Sequence, residues 1–239
     1  MTQSSLGTAL VTGASFENPH GEVAILAGTR AESLGTTAFH CGRRNTSVTD
    51  AALATARGVP YADLSKEPPE IRARFCELPA KLNLFRMLAN SEGTFLPLIS
   101  MVSAVFAKLE LEPRHREIAI LLTGRRTDAR YMWEQHLRIA PEAGVTPQQI
   151  EAIQNERIYD LAVFDDSEQL ILRMADELLR TTEVSELTLD RARAEFSPAQ
   201  IVETIVLVGF YRMLAGIMRS TELDLDVPAS GSWTQHMAA

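Results

Sequence analysis

The sequence predicts an all-α protein: a helical bundle carrying an irregular N-terminal extension. Three observations lead there. From Pro68 onward apolar residues recur at helical intervals of three and four. The segments so marked open and close on capping residues. The last of them, 198–220, is apolar around much of its circumference, which only several packed neighbours can satisfy.

Taken in order, the first sixty or so residues are rich in Gly, Ser, Thr and Ala and hold only short apolar runs, at 9–11 and 23–27. Two brief strands or an irregular arm both fit. Residues 49–57, closed by Gly58, read as a short helix with a left-handed stop residue. Helices are then predicted at 69–77, at 80–89 after the Pro79 break, at 94–109, at 113–127, and at 129–143 ending on Gly144. A shorter one follows at 147–154. The helix at 166–180 carries Leu170, Ile171, Met174 and Leu178 at helical spacing, and 198–220 is the last. Asp165-Asp166-Ser167 and Ser197-Pro198 supply N-cap and first-turn chemistry, which makes those two starts the firmest. The domain division is an extension at 1–65, a helical domain at 66–228, and a small polar tail at 229–239, expected to be loose.

Composition narrows the function. A chain of 239 residues with 46% hydrophobic content can bury a full core. Its formal net charge of −8 leaves no basic excess for phosphates, so neither nucleic acid nor an anionic membrane surface is an expected partner. A small-molecule substrate and other subunits are. Lys66, Lys81 and Lys108 are the only lysines, which disfavours imine chemistry. Cys41 and Cys76 form no CxxC pair or zinc-type cluster, and His20, His40, His115 and His236 show no mutual metal-ligand spacing. No cofactor and no metal are expected. A reducing cytoplasm fits two isolated cysteines, no signal segment is evident, and the apolar stretches look shorter than a bilayer requires.

Two motifs carry chemistry. Residues 9–15, Ala-Leu-Val-Thr-Gly-Ala-Ser, look like the opening strand and turn of a short-chain dehydrogenase, yet Glu17 and Pro19 stand where the next two glycines of a pyrophosphate loop belong. No Tyr-x-x-x-Lys pair follows, so a plain turn is the better reading. The second motif joins Glu117 to His136 with eighteen residues between them. Ala129, Met132 and His136 fall at i, i+3 and i+7, one stripe of a helix.

That second motif resembles the one of the carboxymuconolactone decarboxylase and alkylhydroperoxidase D superfamily. There it runs Glu, eleven residues, Cys, one residue, Tyr, Cys, three residues, His; here those positions are Glu117, Ala129, Tyr131, Met132 and His136. Both thiols are gone. A thiol peroxidase needs an attacking and a resolving sulfur, so that chemistry cannot run from these positions. Arg116-Glu117-Ile118-Ala119-Ile120-Leu121 and Tyr131-Met132-Trp133-Glu134-Gln135-His136 are similar to stretches on the decarboxylase side, although Met132 stands where Glu is usual. Segments at 82–89, 140–150 and 208–214 extend the resemblance to about 150 residues.

The resemblance implies an alkylhydroperoxidase D-like helical bundle, a trimeric or hexameric homo-oligomer, and a cofactor-free lyase. Decarboxylation or related carbon-carbon or lactone chemistry on a small unsaturated or aromatic-derived acid is the expected reaction. His136 would be the general acid or base, Glu117 would orient it, and Tyr131 would donate a hydrogen bond. Met132, Trp133, Tyr211 and Arg212 are candidate substrate contacts, with Tyr211 and Arg212 possible carboxylate anchors. Structural readings stand beside these: His136 as a core histidine, Glu117 as partner of Arg116, Arg125 or Arg126, Tyr131 and Trp133 as amphipathic fillers, and Arg212 at a solvent edge. A metal-dependent oxygenase and a binding or scaffold oligomer are the alternatives in function.

Overall fold

The computed structural model describes residues 58–226. The glycine-bearing turn at 9–15, the helix expected at 49–57 and the 229–239 tail lie outside the described residues. Nine α-helices and no strand occur among the described ones: α1 Pro69–Glu77, α2 Asn83–Leu88, α3 Glu92–Ala107, α4 Pro113–Arg126, α5 Arg130–Ile139, α6 Pro147–Gln154, α7 Asp166–Thr181, α8 Glu186–Glu195 and α9 Pro198–Ser220.

Capping explains the best-placed boundaries. Thr146, Asp165 and Ser197 each form a capping box, with Gln149, Glu168 and Gln200 reaching back to the cap backbone. Elsewhere local chemistry overrides the expected limits. α2 begins at Asn83 rather than at residue 80, because Lys81 is used to close α1: its Nζ donates to the carbonyls of Cys76 and Leu78 at 2.8 and 2.5 Å. α3 runs from 92 to 107 instead of 94 to 109, and α5 ends at Ile139, where the chain winds through turns to Gly144 at φ +92°. Sequence periodicity missed α8 altogether. It buries only Thr188 and Ala192, so no apolar stripe marks it; Ser185, its N-cap, is its one signature.

α4 runs through the centre of the bundle against α5, α6, α7 and α9. Ten consecutive residues, His115 to Gly124, are buried, which explains why it lacks a polar face. The core also reaches upstream of the boundary placed at residue 65. Tyr61 and Ala62 are buried, and Tyr61 exchanges hydrogen bonds with Asp224. A chain beginning at Gly58 is therefore expected to melt at a higher temperature than one beginning at Ser65, read by the circular dichroism of its helices; equal midpoints would show that Tyr61 contributes nothing.

α9 corrects another expectation. By length and composition it is long and apolar enough to cross a bilayer. Within the fold its inner face, including Leu207, Val208, Tyr211 and Leu214, packs into the core instead. Val202, Ile205, Val206 and Met213 stay exposed in the single chain, at 58%, 38%, 44% and 42%.

Candidate functional site

Glu117 and His136 meet because α4 and α5 form a tight antiparallel pair. The chain leaves α4 at Thr127, turns through Asp128 at φ +52°, and starts α5 at Arg130. Aspartate tolerates this left-handed conformation better than most residues. Glu117 precedes the turn by about three helical turns and His136 follows it by about two, so antiparallel packing sets them side by side. Gly124 allows the close approach: a Cβ there would lie 3.4 Å from the Trp133 backbone nitrogen and 3.5 Å from the Met132 sulfur.

His136 Nδ1 lies 2.7 Å from Glu117 Oε2, with Glu117 fully buried and His136 5% exposed. The other carboxylate oxygen, Oε1, accepts from Arg116 Nε at 3.0 Å. Adjacent helix residues do not ordinarily face each other, so Arg116 folds back to make this bond. Its guanidinium sits 4.7 Å from the Phe106 ring centroid, and Phe106 stacks on His136 at 6.5 Å. A carboxylate accepts only, so in the neutral form of the ring Glu117 places the proton on Nδ1. Nε2, which bonds no described residue, then carries the lone pair.

His136 lines a cavity of about 30 Å³ walled by α2, α3, α5 and α9. Leu84, Phe85 and Val102 make it apolar on one side. Tyr211 closes it from α9, edge-on to His136 with centroids 5.3 Å apart. Burial pushes the Tyr211 phenol well above its ordinary pKa, and the charge of Glu117 adds to that, so the hydroxyl keeps its proton. Such a volume holds one or two waters.

At the rim, Tyr131 donates to Asp226 Oδ2, and Gln135 Nε2 donates to the same oxygen at 2.9 Å. The Asn83 backbone N–H donates to Oδ1 at 2.8 Å. Burial, then the Asp226 charge, push the Tyr131 hydroxyl well up. Burial also raises the Asp226 carboxyl, against the lowering effect of its hydrogen bonds and of Arg138.

Of the residues named from sequence, the structure brings together His136, Glu117, Tyr131, Met132 and Tyr211. Met132, buried, fills the wall between His136 and Gly124. Trp133 and Arg212 are not at the cavity. Each is one residue beyond an inward-facing neighbour and so is turned about 100° away. Trp133 lines a separate groove with Arg125 and Gln154, and Arg212 is exposed, donating to the Leu178 carbonyl at 3.4 Å. Arg125 and Arg126 pair with Glu156 and, for Arg126, Asp176, which leaves Arg116 as the cation on Glu117. Gln135, Asn83 and Asp226 were missed. Gln135 sits four residues after Tyr131 and is legible as the same helix face, whereas nothing local points to Asp226.

The thiol positions of the resembling motif hold the Ala129 N-cap and Met132, both buried, and Cys76 is exposed on α1. Among the described residues no group of three His, Cys, Asp or Glu side chains is arranged to hold a metal ion.

No protein-family model matches the chain, and no curated protein matches it. Solved structures do. An uncharacterised peroxidase-related protein from Silicibacter sp. TM1040 aligns with a TM-score of 0.63 at 20% identity, over 78% of this chain and 99% of that one. The alkylhydroperoxidase AhpD core of a peroxidase-related protein from Ralstonia eutropha JMP134 gives 0.61 at 18%, over 70% and 90%. A protein of unknown function from Agrobacterium tumefaciens, described as an AhpD antioxidant-defence protein, gives 0.53 at 19%, over 58% and 94%.

Proposed function

We propose, for a chain with the AhpD-like helical fold and no thiol at either redox position, that the His136 cavity is the site of a thiol-free acid-base enzyme. The reading is a lyase that decarboxylates, or breaks a related carbon-carbon or lactone bond in, a small unsaturated acid. One observation carries it: Glu117 engages His136 through Nδ1 at 2.7 Å while His136 lines an apolar cavity, which leaves Nε2 as the ring nitrogen to act there. Loss of carbon dioxide leaves an enolate or dienolate that needs one proton in a place sheltered from water. Nε2 first takes up a proton from solvent, giving an imidazolium paired with Glu117; it then delivers that proton to the enolate carbon and the ring returns to its neutral form. The Tyr211 hydroxyl, held protonated, is a hydrogen-bond donor at the same wall.

At about 30 Å³ the cavity is well below the several hundred cubic ångströms of an ordinary ligand site, so the reaction requires it to widen. Carbon dioxide release from a panel of unsaturated and aromatic-derived acids tests the reading. Turnover that needs His136 supports it; hydroperoxide turnover blocked by thiol alkylation would overturn it.

Assembly belongs to the same reading. The exposed Val202, Ile205, Val206 and Met213 side of α9 is apolar surface that a homo-oligomer of this chain would cover. Light scattering is expected to return a multiple of the 26.4 kDa chain, and Val206→Asp to reduce it to one chain. A monomeric mass for the unaltered protein would contradict this.

A further inference from the structure

Two buried donors and a backbone amide converge on one carboxylate at the rim of the His136 cavity. The Tyr131 hydroxyl and Gln135 amide stand on successive turns of α5, 4% and 7% exposed, and both line the cavity with His136. Their acceptor is Asp226 Oδ2, from the segment after α9, while Asn83 N–H holds Oδ1. Buried neutral donors are costly without an acceptor, and three that surround a carboxylate from different directions form a receptor for one. The chain fills this receptor itself. Asp224, two residues earlier, is tied to Tyr61, and Leu223 is buried, so the segment that carries Asp226 is held against the fold next to the cavity-lining Tyr131 and Gln135.

We infer that Tyr131, Gln135 and the Asn83 amide form the carboxylate subsite of the substrate, occupied in this structure by Asp226 as an internal surrogate. The inference rests on the acid-base reading of His136 and adds the substrate's charge class to it, a monocarboxylate. Among the described residues Arg138 acts on the Asp226 carboxylate from a distance, and its hydrogen bonds come from the neutral groups of Tyr131, Gln135 and Asn83. One anionic group on an apolar body suits donors this few beside Leu84, Phe85 and Leu214. The carboxylate anchor thus lies on α5 and the first residue of α2, not at Tyr211 and Arg212, the two candidates from sequence.

Calorimetric titration of the full chain with crotonate tests it. Asp226→Ala is expected to bind crotonate at least tenfold more tightly than the unaltered protein, because the intramolecular competitor is gone. Crotonamide, with no charge, should not bind, and Tyr131→Phe added to Asp226→Ala should cancel most of the gain. Asp226→Asn keeps the side chain's size and one acceptor, so it guards against misfolding of the alanine variant and is expected to show an intermediate gain. Equal crotonate affinity in all four chains, or crotonamide binding as tight as crotonate, would overturn the assignment. None of this needs turnover. A gain in Asp226→Ala beside full activity in His136→Ala would keep the subsite and sink the acid-base reading, and the reverse pattern would sink only the subsite.

Discussion

His136→Ala is expected to lower turnover by about 10² to 10⁴ fold, the range usual for a side chain that transfers a proton in the rate-limiting step. The fold should survive. His136 sits on the inner face of α5 among Tyr131, Met132, Gln135 and Ile139, and the alanine removes a ring without removing the stripe that packs the helix. His136→Asn, polar but unable to titrate, is expected to be nearly as poor. Converting Cys41 and Cys76 to serine should leave turnover within a few fold, because Cys76 is exposed on α1 and Cys41 lies far from the motif in sequence. Activity assays on purified chains check both halves. Full activity in His136→Ala would return the imidazole to a packing role.

The second large effect falls on stability. Glu117 neutralises Arg116 in the core and accepts the hydrogen bond of His136 Nδ1–H, so Glu117→Ala leaves a buried guanidinium and a buried N–H without an acceptor. Removing one partner of a buried pair costs about 3–5 kcal/mol, far more than the pair itself contributes. For a domain of this size that corresponds to roughly 10 °C in melting temperature. Glu117→Gln keeps a carbonyl for Nδ1–H but gives up the charge facing Arg116, and its loss should be smaller. Thermal unfolding followed by circular dichroism orders the three chains; an unchanged midpoint in Glu117→Ala would show that Arg116 finds another partner or water.

What was legible in the sequence follows from what each signal encodes. Pro147–Gln154 and Pro198–Ser220, each opened by a capping box and a first-turn proline, were placed to the residue, and Asp166–Thr181 to within one. α8 has a cap but no stripe, and it stayed hidden. The Glu117 and His136 pair was legible because one helical hairpin, whose geometry is local, brings the two residues together. Trp133 and Arg212 were misplaced because position in a motif says nothing of rotation about the helix axis, and one residue is enough to turn a side chain out of the cavity. Asp226 is 95 residues from Tyr131, and only tertiary packing joins them. The α9 segment shows the converse: its composition fits a bilayer as well as a core, and the neighbouring helices α4, α5 and α7 decide the matter.

The central claim is that Glu117 fixes the proton of His136 on Nδ1 so that Nε2 offers a lone pair to the cavity. Nitrogen-15 NMR of histidine-labelled protein, at a pH where the ring is neutral, reads the tautomer directly. The expected result is a protonated, pyrrole-like Nδ1 coupled to Glu117 and a pyridine-like Nε2, with the preference weakened in Glu117→Gln. A protonated Nε2 in the neutral ring, unchanged by Glu117→Gln, would contradict the account.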